Sequence, residues 1–130
     1  MPIIKLNKSA DFTIKKSKFL SFAFLVKSEA EISKILADIK KEHPKARHIV
    51  YAYRLQENNQ LKERFHNDRE PSQSAGLPLY NLLKNQDIVN CLVVVVRYYG
   101  GIKLGVGGLV RAYTTSAKLV LENNLALDGN

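Results

Sequence analysis

The chain of 130 residues contains one cysteine, Cys91, and one methionine, and it lacks tryptophan. A single cysteine excludes an internal disulfide and a CxxC metal-binding motif, which favours a reducing compartment. The stretch KKSKFLSFAFLV imitates a signal peptide, but it lacks a small-residue cleavage site and its eight mostly apolar residues cannot cross a bilayer that requires about 20. These absences predict a cytoplasmic protein without membrane contact, and Cys91 is predicted to be a small core residue.

Standard nucleotide-binding motifs are also absent from the glycine-rich segment VVVVRYYGGIKLGVGGLVRAY, residues 93–113. The Walker pattern fails because Val106 and Gly107 follow Gly105, where lysine and a hydroxyl residue are required. The dinucleotide pattern fails because Val110 occupies the position of its third glycine, and no acidic residue follows about 20 positions later. The segment nevertheless holds five of the seven glycines of the chain.

Two explanations remain for these glycines. Gly107 and Gly108 lie where the final helix is predicted to begin, so free N–H groups there and at Gly105 could hold an anion. Cationic side chains flank the same segment at Arg97, Lys103 and Arg111. Alternatively, the glycines adopt positive φ angles and let the preceding strand and the helix pack closely, which spacing alone favours. The apolar residues between them are predicted to point inward or to face a protein: Ile102, Leu104 and Val106.

The charge of the chain is strongly basic, with 20 lysines and arginines against 12 acidic residues and a net charge of +8. Such an excess indicates a polyanionic partner such as RNA or the ribosome. The basic residues are scattered along the sequence, however, so solubility alone would also explain them.

Hydrophobic periodicity predicts eight elements in the order strand, strand, helix, strand, strand, helix, strand, helix. The strands are predicted at 11–16, 18–26, 46–55, 60–68 and 88–96, and the helices at 28–41, 77–85 and 108–123. Ser28 and Glu31 have the spacing of a capping box at the start of the first helix. The pattern predicts a single α+β domain, a two-layer sandwich with a mixed sheet and its helices mainly on one face.

Two further segments carry candidate functional side chains. The strand RHIVYAYR places Arg47, Tyr51 and Tyr53 on one face, where the tyrosines could stack nucleic-acid bases or lie under a helix. The loop RFHNDREPSQSAG contains His66, Asp68 and Glu70, but their spacing is typical of neither a metal site nor a serine nucleophile. No catalytic residue, metal ligand or cofactor is therefore predicted, and the two carboxylates are expected to cap a helix or to pair with arginines.

Three segments together resemble, in order and spacing, the motifs of the IMPACT/YigZ family: RHIVYAYR, NDREPSQSAGLPLYNLL and VVVVRYYGGIKLGVGGLVRAYTTSA. The resemblance covers roughly residues 12–122. It implies the left-handed βαβ fold shared with a ribosomal protein domain, elongation-factor domain IV and the GHMP kinases. The residues that match the family motif are His48, Asp68, Glu70, Ser72 and Gly76.

The chain departs from the family pattern in one loop, which usually reads Asp-Asp-Gly-Glu-Pro-Ser-Gly-Thr-Ala-Gly. Asn67 replaces the first acid, Arg69 and Gln73 replace the two inner glycines, and Ser74 replaces the threonine. The lost carboxylate at Asn67 argues against a metal or acid–base role for this loop. Residues 1–130 are expected to form one IMPACT N-terminal-like domain. Bacterial members usually carry a second, ferredoxin-like domain that these residues lack, so the chain is either a naturally short member or a fragment of a longer protein.

The resemblance and the charge together predict a non-enzymatic binding module associated with translation. Eukaryotic members of the family regulate translation by competing for the activator of a stress kinase, so the expected partners are RNA, the ribosome or a translation-regulatory protein. One alternative is an enzyme or sensor that binds a phosphorylated small molecule at the glycine-rich turn. Another is a pure protein–protein interaction module whose basic surface meets an acidic helix.

Overall fold

The computed structural model describes residues 1–127, which form three helices and seven strands. The helices are α1 (Glu29–Glu42), α2 (Gly76–Asn85) and α3 (Gly105–Leu121). The strands are β1 (Pro2–Ile4), β2 (Lys8–Ile14), β3 (Ser17–Leu25), β4 (His48–Glu57), β5 (Gln60–His66), β6 (Cys91–Tyr98) and β7 (Leu125–Leu127). All eight predicted elements are present, and β1 and β7 are the two that periodicity did not predict.

Five strands form the central sheet in the order β2-β3-β6-β4-β5, and every neighbouring pair is antiparallel. The expected mixed sheet is therefore wrong. The crossover through α1 does make β3 and β4 point the same way, but β6 lies between them and runs antiparallel to both. Strand order depends on contacts that are distant in sequence, and local periodicity carries no information about them.

Helices cover both faces of this sheet, so the domain has three layers rather than the expected two. Val93 and Val95 of β6 point into a core with α2 and α3. Leu92 and Val94, which alternate with them, point into a second core with Ile32 of α1. Two of the three helices do share one face, as predicted. The continuous apolar run of β6 reflects its burial on both sides.

The predicted start of the first helix is confirmed. Ser28 is the N-cap of α1, and its hydroxyl accepts a hydrogen bond from the N–H of Glu31 at 3.1 Å. The carboxylate of Glu31 accepts from the N–H of Lys27 at 2.7 Å, one residue before the N-cap. Helix α3 begins at Gly105, three residues earlier than predicted, so its whole first turn is built from the glycine-rich segment. Within residues 1–127, no helix combines the length and apolarity needed to cross a membrane.

Candidate anion-binding cleft

One cleft of about 430 Å³ lies where several chemically active segments meet. Its walls are the start of β4, the loop that follows β5, the end of β6 and the first turn of α3. The lining residues are Arg47, His48, Arg69, Glu70, Pro71, Arg97, Tyr99, Lys103, Leu104, Gly105, Val106 and Leu109. The structure thus brings together the glycine-rich segment and residues 67–76, the loop that carries the family motif and is called the family-motif loop below. These segments were predicted as separate candidate sites.

Glu70 and Arg97 form a buried ion pair beside the cleft. Nη1 of Arg97 donates to both carboxylate oxygens of Glu70, at 3.0 and 2.8 Å, and the hydroxyl of Tyr113 donates to Oε2. The side chains of Arg97 and Glu70 are only 6% and 2% exposed. Burial and then the charge of Glu70 raise the pKa of Tyr113 well above its usual value, so the hydroxyl stays a donor. Arg97 is thus neutralised inside the protein, whereas the sequence analysis expected a surface cation.

His48 completes this network from β4, where it lies opposite Arg97 in the strand register. Its Nδ1 lies 2.7 Å from the backbone carbonyl oxygen of Asp68, which can only accept, so Nδ1 carries the proton. Its Nε2 lies 3.4 Å from Oε1 of Glu70. The carboxylate of Asp68 accepts from the N–H of Ile49 at 2.6 Å. His48 and Asp68 therefore fasten the loop to the start of β4.

The family-motif loop is held together by Asn67. Its Oδ1 accepts from the N–H groups of Ala75 and Gly76 at the start of α2, at 3.1 and 2.9 Å. Its Nδ2 donates to the carbonyls of Glu70 and Pro71, at 2.6 and 2.9 Å. A carboxylate could not make the second pair of bonds. The expectation that Glu70 pairs with an arginine is confirmed, whereas Asn67, and not Asp68 or Glu70, caps the helix.

Two other members of the family-motif loop have structural positions outside the cleft lining. A Cβ on Gly76 would come within 2.9 Å of the backbone of His66, so only glycine fits there without a shift. Ser72 is exposed, one residue beyond Pro71, which does line the cleft.

The predicted positive φ angles are present at Gly101 and Gly105, whereas the predicted close packing of β6 against α3 is not what the glycines serve. A Cβ on Gly108 would lie 3.2 Å from Leu104, a residue of the same segment. Gly100 is required by the β2–β3 hairpin, because its Cβ would lie 1.9 Å from the carbonyl oxygen of Lys16. Gly105 has φ +74° and would meet no atom within 4 Å. Gly107 would make only an ordinary contact, at 3.4 Å from Arg111. The first turn of α3 is therefore open on its outer side.

This open turn presents unused hydrogen-bond donors. The first N–H groups of a helix have no intrahelical partner, and Leu104, the N-cap, has no polar side chain to accept from them. Gly105, Val106 and Gly107 are all exposed. The positive end of the helix dipole lies at the same place. Of the three apolar residues predicted to point inward or to face a protein, Leu104 packs against the core, whereas Ile102 and Val106 are 42% and 56% exposed.

Cationic side chains surround the open turn. Arg47, Arg69 and Lys103 are exposed, line the cleft and form no ion pair within the described part of the chain. The guanidinium of Arg47 lies 5.0 Å from the ring centre of Tyr99, which is 37% exposed. Arg69 and Tyr99 escaped the sequence analysis, because nothing in their local sequence marks them as neighbours. Arg111 lies outside the lining, on the outer face of α3 beside Gly107.

The tyrosines of β4 lie elsewhere, so the contact surface proposed from sequence is divided. Tyr51 and Tyr53 stack with ring centres 6.4 Å apart, on the sheet face covered by α1. Tyr53 is 7% exposed and its hydroxyl donates to Glu29 at 3.3 Å. Arg47 is separated from them because it precedes the strand and turns toward the cleft. Side-chain alternation predicted the shared face correctly, but α1 occupies it.

Cys91 is a core residue, as predicted. It is fully buried, and burial raises the pKa of its thiol to about 12. Within residues 1–127 no three histidine, cysteine or acidic side chains are grouped as metal ligands.

Comparison with known proteins identifies the chain's relatives. The sequence profile of the Impact N-terminal domain matches residues 15–121. The IMPACT family member YvyE of Bacillus subtilis (strain 168) is 41% identical over 106 residues, which cover 82% of this chain and 48% of YvyE. The IMPACT family member YigZ of Escherichia coli (strain K12) is 38% identical over 103 residues, which cover 77% of this chain and 50% of YigZ.

A solved structure extends the likeness to the fold. A crystal structure described as that of a hypothetical protein matches with a TM-score of 0.87 and 32% identity, covering 96% of this chain and 61% of the other. The α+β class predicted for this chain is confirmed by its own helices and sheet, and this structure shares the fold. The chain spans about half the length of the curated relatives named above. The family profile covers most of the sequence and the curated relatives share about 40% identity with it, so the chain belongs to the IMPACT family.

Proposed function

We propose that this domain is a non-enzymatic RNA-binding module that acts on the translation apparatus. The observation that carries the proposal is the convergence of three unpaired cationic side chains on the uncapped first turn of α3. RNA supplies closely spaced phosphates, and cationic side chains together with helix N-termini are the groups that bind them. The net charge of +8 favours encounter with such a polyanion.

Family membership supports the role in translation, and the composition of the cleft supports the contact with RNA. Tyr99 adds an exposed aromatic ring beside the cations, and an aromatic ring can stack an unpaired base. The buried Glu70–Arg97 pair fixes the loop and the end of β6 on which Arg69 and Tyr99 are carried. The cleft is thus a rigid platform for single-stranded RNA.

The test is RNA binding measured as a function of salt. A single-stranded RNA oligonucleotide should bind with an affinity that falls steeply as salt rises, because phosphate contacts release counterions. Lys103→Ala and Arg69→Ala should each weaken binding and reduce the slope of log K against log salt by about 0.7.

Lys27→Ala is the matched control, since it removes the same charge at the opposite end of the sheet. Lys27 lies two residues after Leu25, and Leu25 pairs with Cys91 at the start of β6. The cleft lies at the other end of β6, beside Arg97. The control should leave affinity nearly unchanged. Salt-independent binding, or equal losses in Lys27→Ala and Lys103→Ala, would contradict the proposal. If RNA does not bind while ribosomal proteins are still captured after nuclease treatment, the domain is a protein-interaction module instead.

A further inference from the structure

Arg97 has hydrogen-bonding capacity that the protein itself does not use. Glu70 is engaged by Nη1 alone, and neither Nε nor Nη2 has a hydrogen-bond partner within residues 1–127. Nε is fully buried, whereas Nη2 keeps some accessible surface, on a residue that is 5% exposed and lines the cleft. Donors on side chains this deeply buried almost always have a partner, so the free Nη2 beside the cleft indicates an acceptor that binds there.

The charge of the cleft indicates how much negative charge that acceptor carries. Glu70 balances Arg97, which leaves Arg47, Arg69 and Lys103 without an acidic partner in the described chain. The first turn of α3 adds roughly half a positive charge. A phosphodiester linkage carries a single negative charge, whereas a phosphate monoester carries about 1.5 to 2 at neutral pH and has three free oxygens. The site matches the monoester better.

The size of the cleft also favours a small phosphate-bearing group. It is bounded by four segments of the chain and has a volume of about 430 Å³, within the range of roughly 300–1,000 Å³ that small ligands occupy. A site of this size accepts one nucleotide, including the nucleotide at the phosphorylated end of a strand.

We infer that the cleft binds a phosphate monoester group, held by the N–H groups of the first turn of α3 with Lys103, Arg69 and Arg97 around it. The inference rests on the function proposed above, because it names the phosphate that the same cleft takes. Two sources share this chemistry, namely the phosphorylated end of an RNA strand and a free nucleoside monophosphate. Experiment can separate them.

The first experiment compares five probes at pH 7.5, where the monoester is mostly dianionic. Three are forms of one RNA hexamer, with a 5′-phosphate, a 5′-hydroxyl or a 5′-methyl phosphate, and the other two are adenosine monophosphate and adenosine. The 5′-phosphate form should bind about tenfold tighter than the other two hexamers, because its monoester has three free oxygens and nearly two negative charges, whereas the methyl diester has one charge and the 5′-hydroxyl has none. Adenosine monophosphate should compete with it and raise Tm, whereas adenosine should not.

Each outcome separates this inference from the proposed function. Equal affinity for all three hexamers, with no effect of adenosine monophosphate, would overturn the inference and leave RNA binding intact. A rise in Tm with adenosine monophosphate and no binding of any hexamer would support the inference, identify a small molecule as the source, and overturn the RNA function. The absence of any binding would overturn both.

A matched pair of variants tests the helix N-terminus directly. Val106→Pro removes one N–H in the first turn, where proline costs no intrahelical hydrogen bond, and Val106→Ala trims the same side chain but keeps the N–H. Val106→Pro should lose most of the preference for the 5′-phosphate, about fivefold, while Val106→Ala keeps it. A full preference in both variants would overturn the assignment. If Val106→Pro folds poorly, Lys103→Ala is measured instead. Lys103 is exposed, so this variant should fold, and it should also lose part of the preference for the 5′-phosphate.

Discussion

At the scale of single residues, the family-motif loop contains three non-glycine residues with positive φ, a backbone conformation that favours glycine. Asp68 has φ +42°, Arg69 has φ +64° and Gln73 has φ +62°. The resemblance to the family implies glycine at the last two positions. The left-handed region costs a residue with a side chain roughly 1–2 kcal/mol. Gln73 brings no contact to the cleft, whereas Arg69 supplies one of its three unpaired cations. Strain retained at a site-lining position is a sign of function.

Restoring glycine should therefore have different consequences at the two positions. Gln73→Gly and Arg69→Gly should each raise the free energy of unfolding by about 0.5–1 kcal/mol, because relief of strain exceeds the entropy that glycine loses on folding. Arg69→Gly alone should also weaken RNA binding. Ser72→Gly, whose φ is not positive, should destabilise slightly. Urea denaturation and RNA binding on the same preparations measure both effects. A stabilised Arg69→Gly with unchanged affinity would contradict the role of Arg69.

Because the Tyr113 hydroxyl is buried, the free energy of unfolding should depend on pH in the alkaline range. The pKa of Tyr113 is raised in the folded state by burial and by Glu70, so the folded protein keeps a proton that the unfolded chain loses above about pH 10. The unfolded state then binds fewer protons, and the free energy of unfolding falls as pH rises through that range. Tyr113→Phe should cost about 1–3 kcal/mol at pH 7 and show a shallower alkaline decline. Parallel pH curves for the two proteins would disprove the assignment.

At the scale of elements, the two strands that periodicity missed fasten the ends of the described chain to the core. β1 and β7 pair antiparallel over three residues each, with Ile4 opposite Leu125. The carbonyl of Pro2 accepts from the N–H of Val89 at 2.9 Å, just before β6. Ile4 is 1% exposed and belongs to the core with α2 and α3. Three-residue strands are too short for alternation to be visible in the sequence.

This short pair should contribute far more stability than its length suggests. Ile4→Ala should lower the free energy of unfolding by about 2–4 kcal/mol, through lost burial and the cavity left behind. Ile14→Ala makes the same substitution at a strand residue that is 37% exposed, and should cost less than half as much. Equal losses in chemical denaturation would show that β1 is not anchored in the core.

At the scale of the whole molecule, the central strands of the sheet join the two cores, and β6 shows this most clearly. Val94 faces α1 and Val95 faces α2 and α3, and both are completely buried. A three-layer domain of this size has no core that can survive without the shared sheet. The same arrangement fixes the cleft, because Arg97 at the end of β6 and Tyr99, which follows the strand, lie between the loop and α3.

The domain should therefore unfold as one cooperative unit. Val94→Ala and Val95→Ala should each cost about 2–3 kcal/mol from lost methyl groups and cavities. In both variants, the far-ultraviolet circular dichroism and the tyrosine signal should shift to the same lower midpoint. Separate midpoints for the two probes in either variant would mean that one core unfolds independently of the other.

The sequence by itself determined the elements, their order and which residues share a face. Period-2 and period-3.6 patterns are local, and so is the cap at Ser28, so each could be predicted within a few residues. The family motifs also pointed to His48, Glu70 and the glycine-rich segment. Strand direction, the second helical layer and the β1–β7 pair escaped prediction, because they depend on contacts between distant segments.

Tertiary structure alone decided what the candidate site is. It turned Arg97 inward against Glu70, covered Tyr51 and Tyr53 with α1, and placed Arg69 and Tyr99 beside the first turn of α3. The physical reason is that charge and hydrogen-bonding capacity are properties of the residue, whereas their use depends on which groups come within about 3 Å. The sequence names the cations of this domain, and the fold selects those that face the cleft.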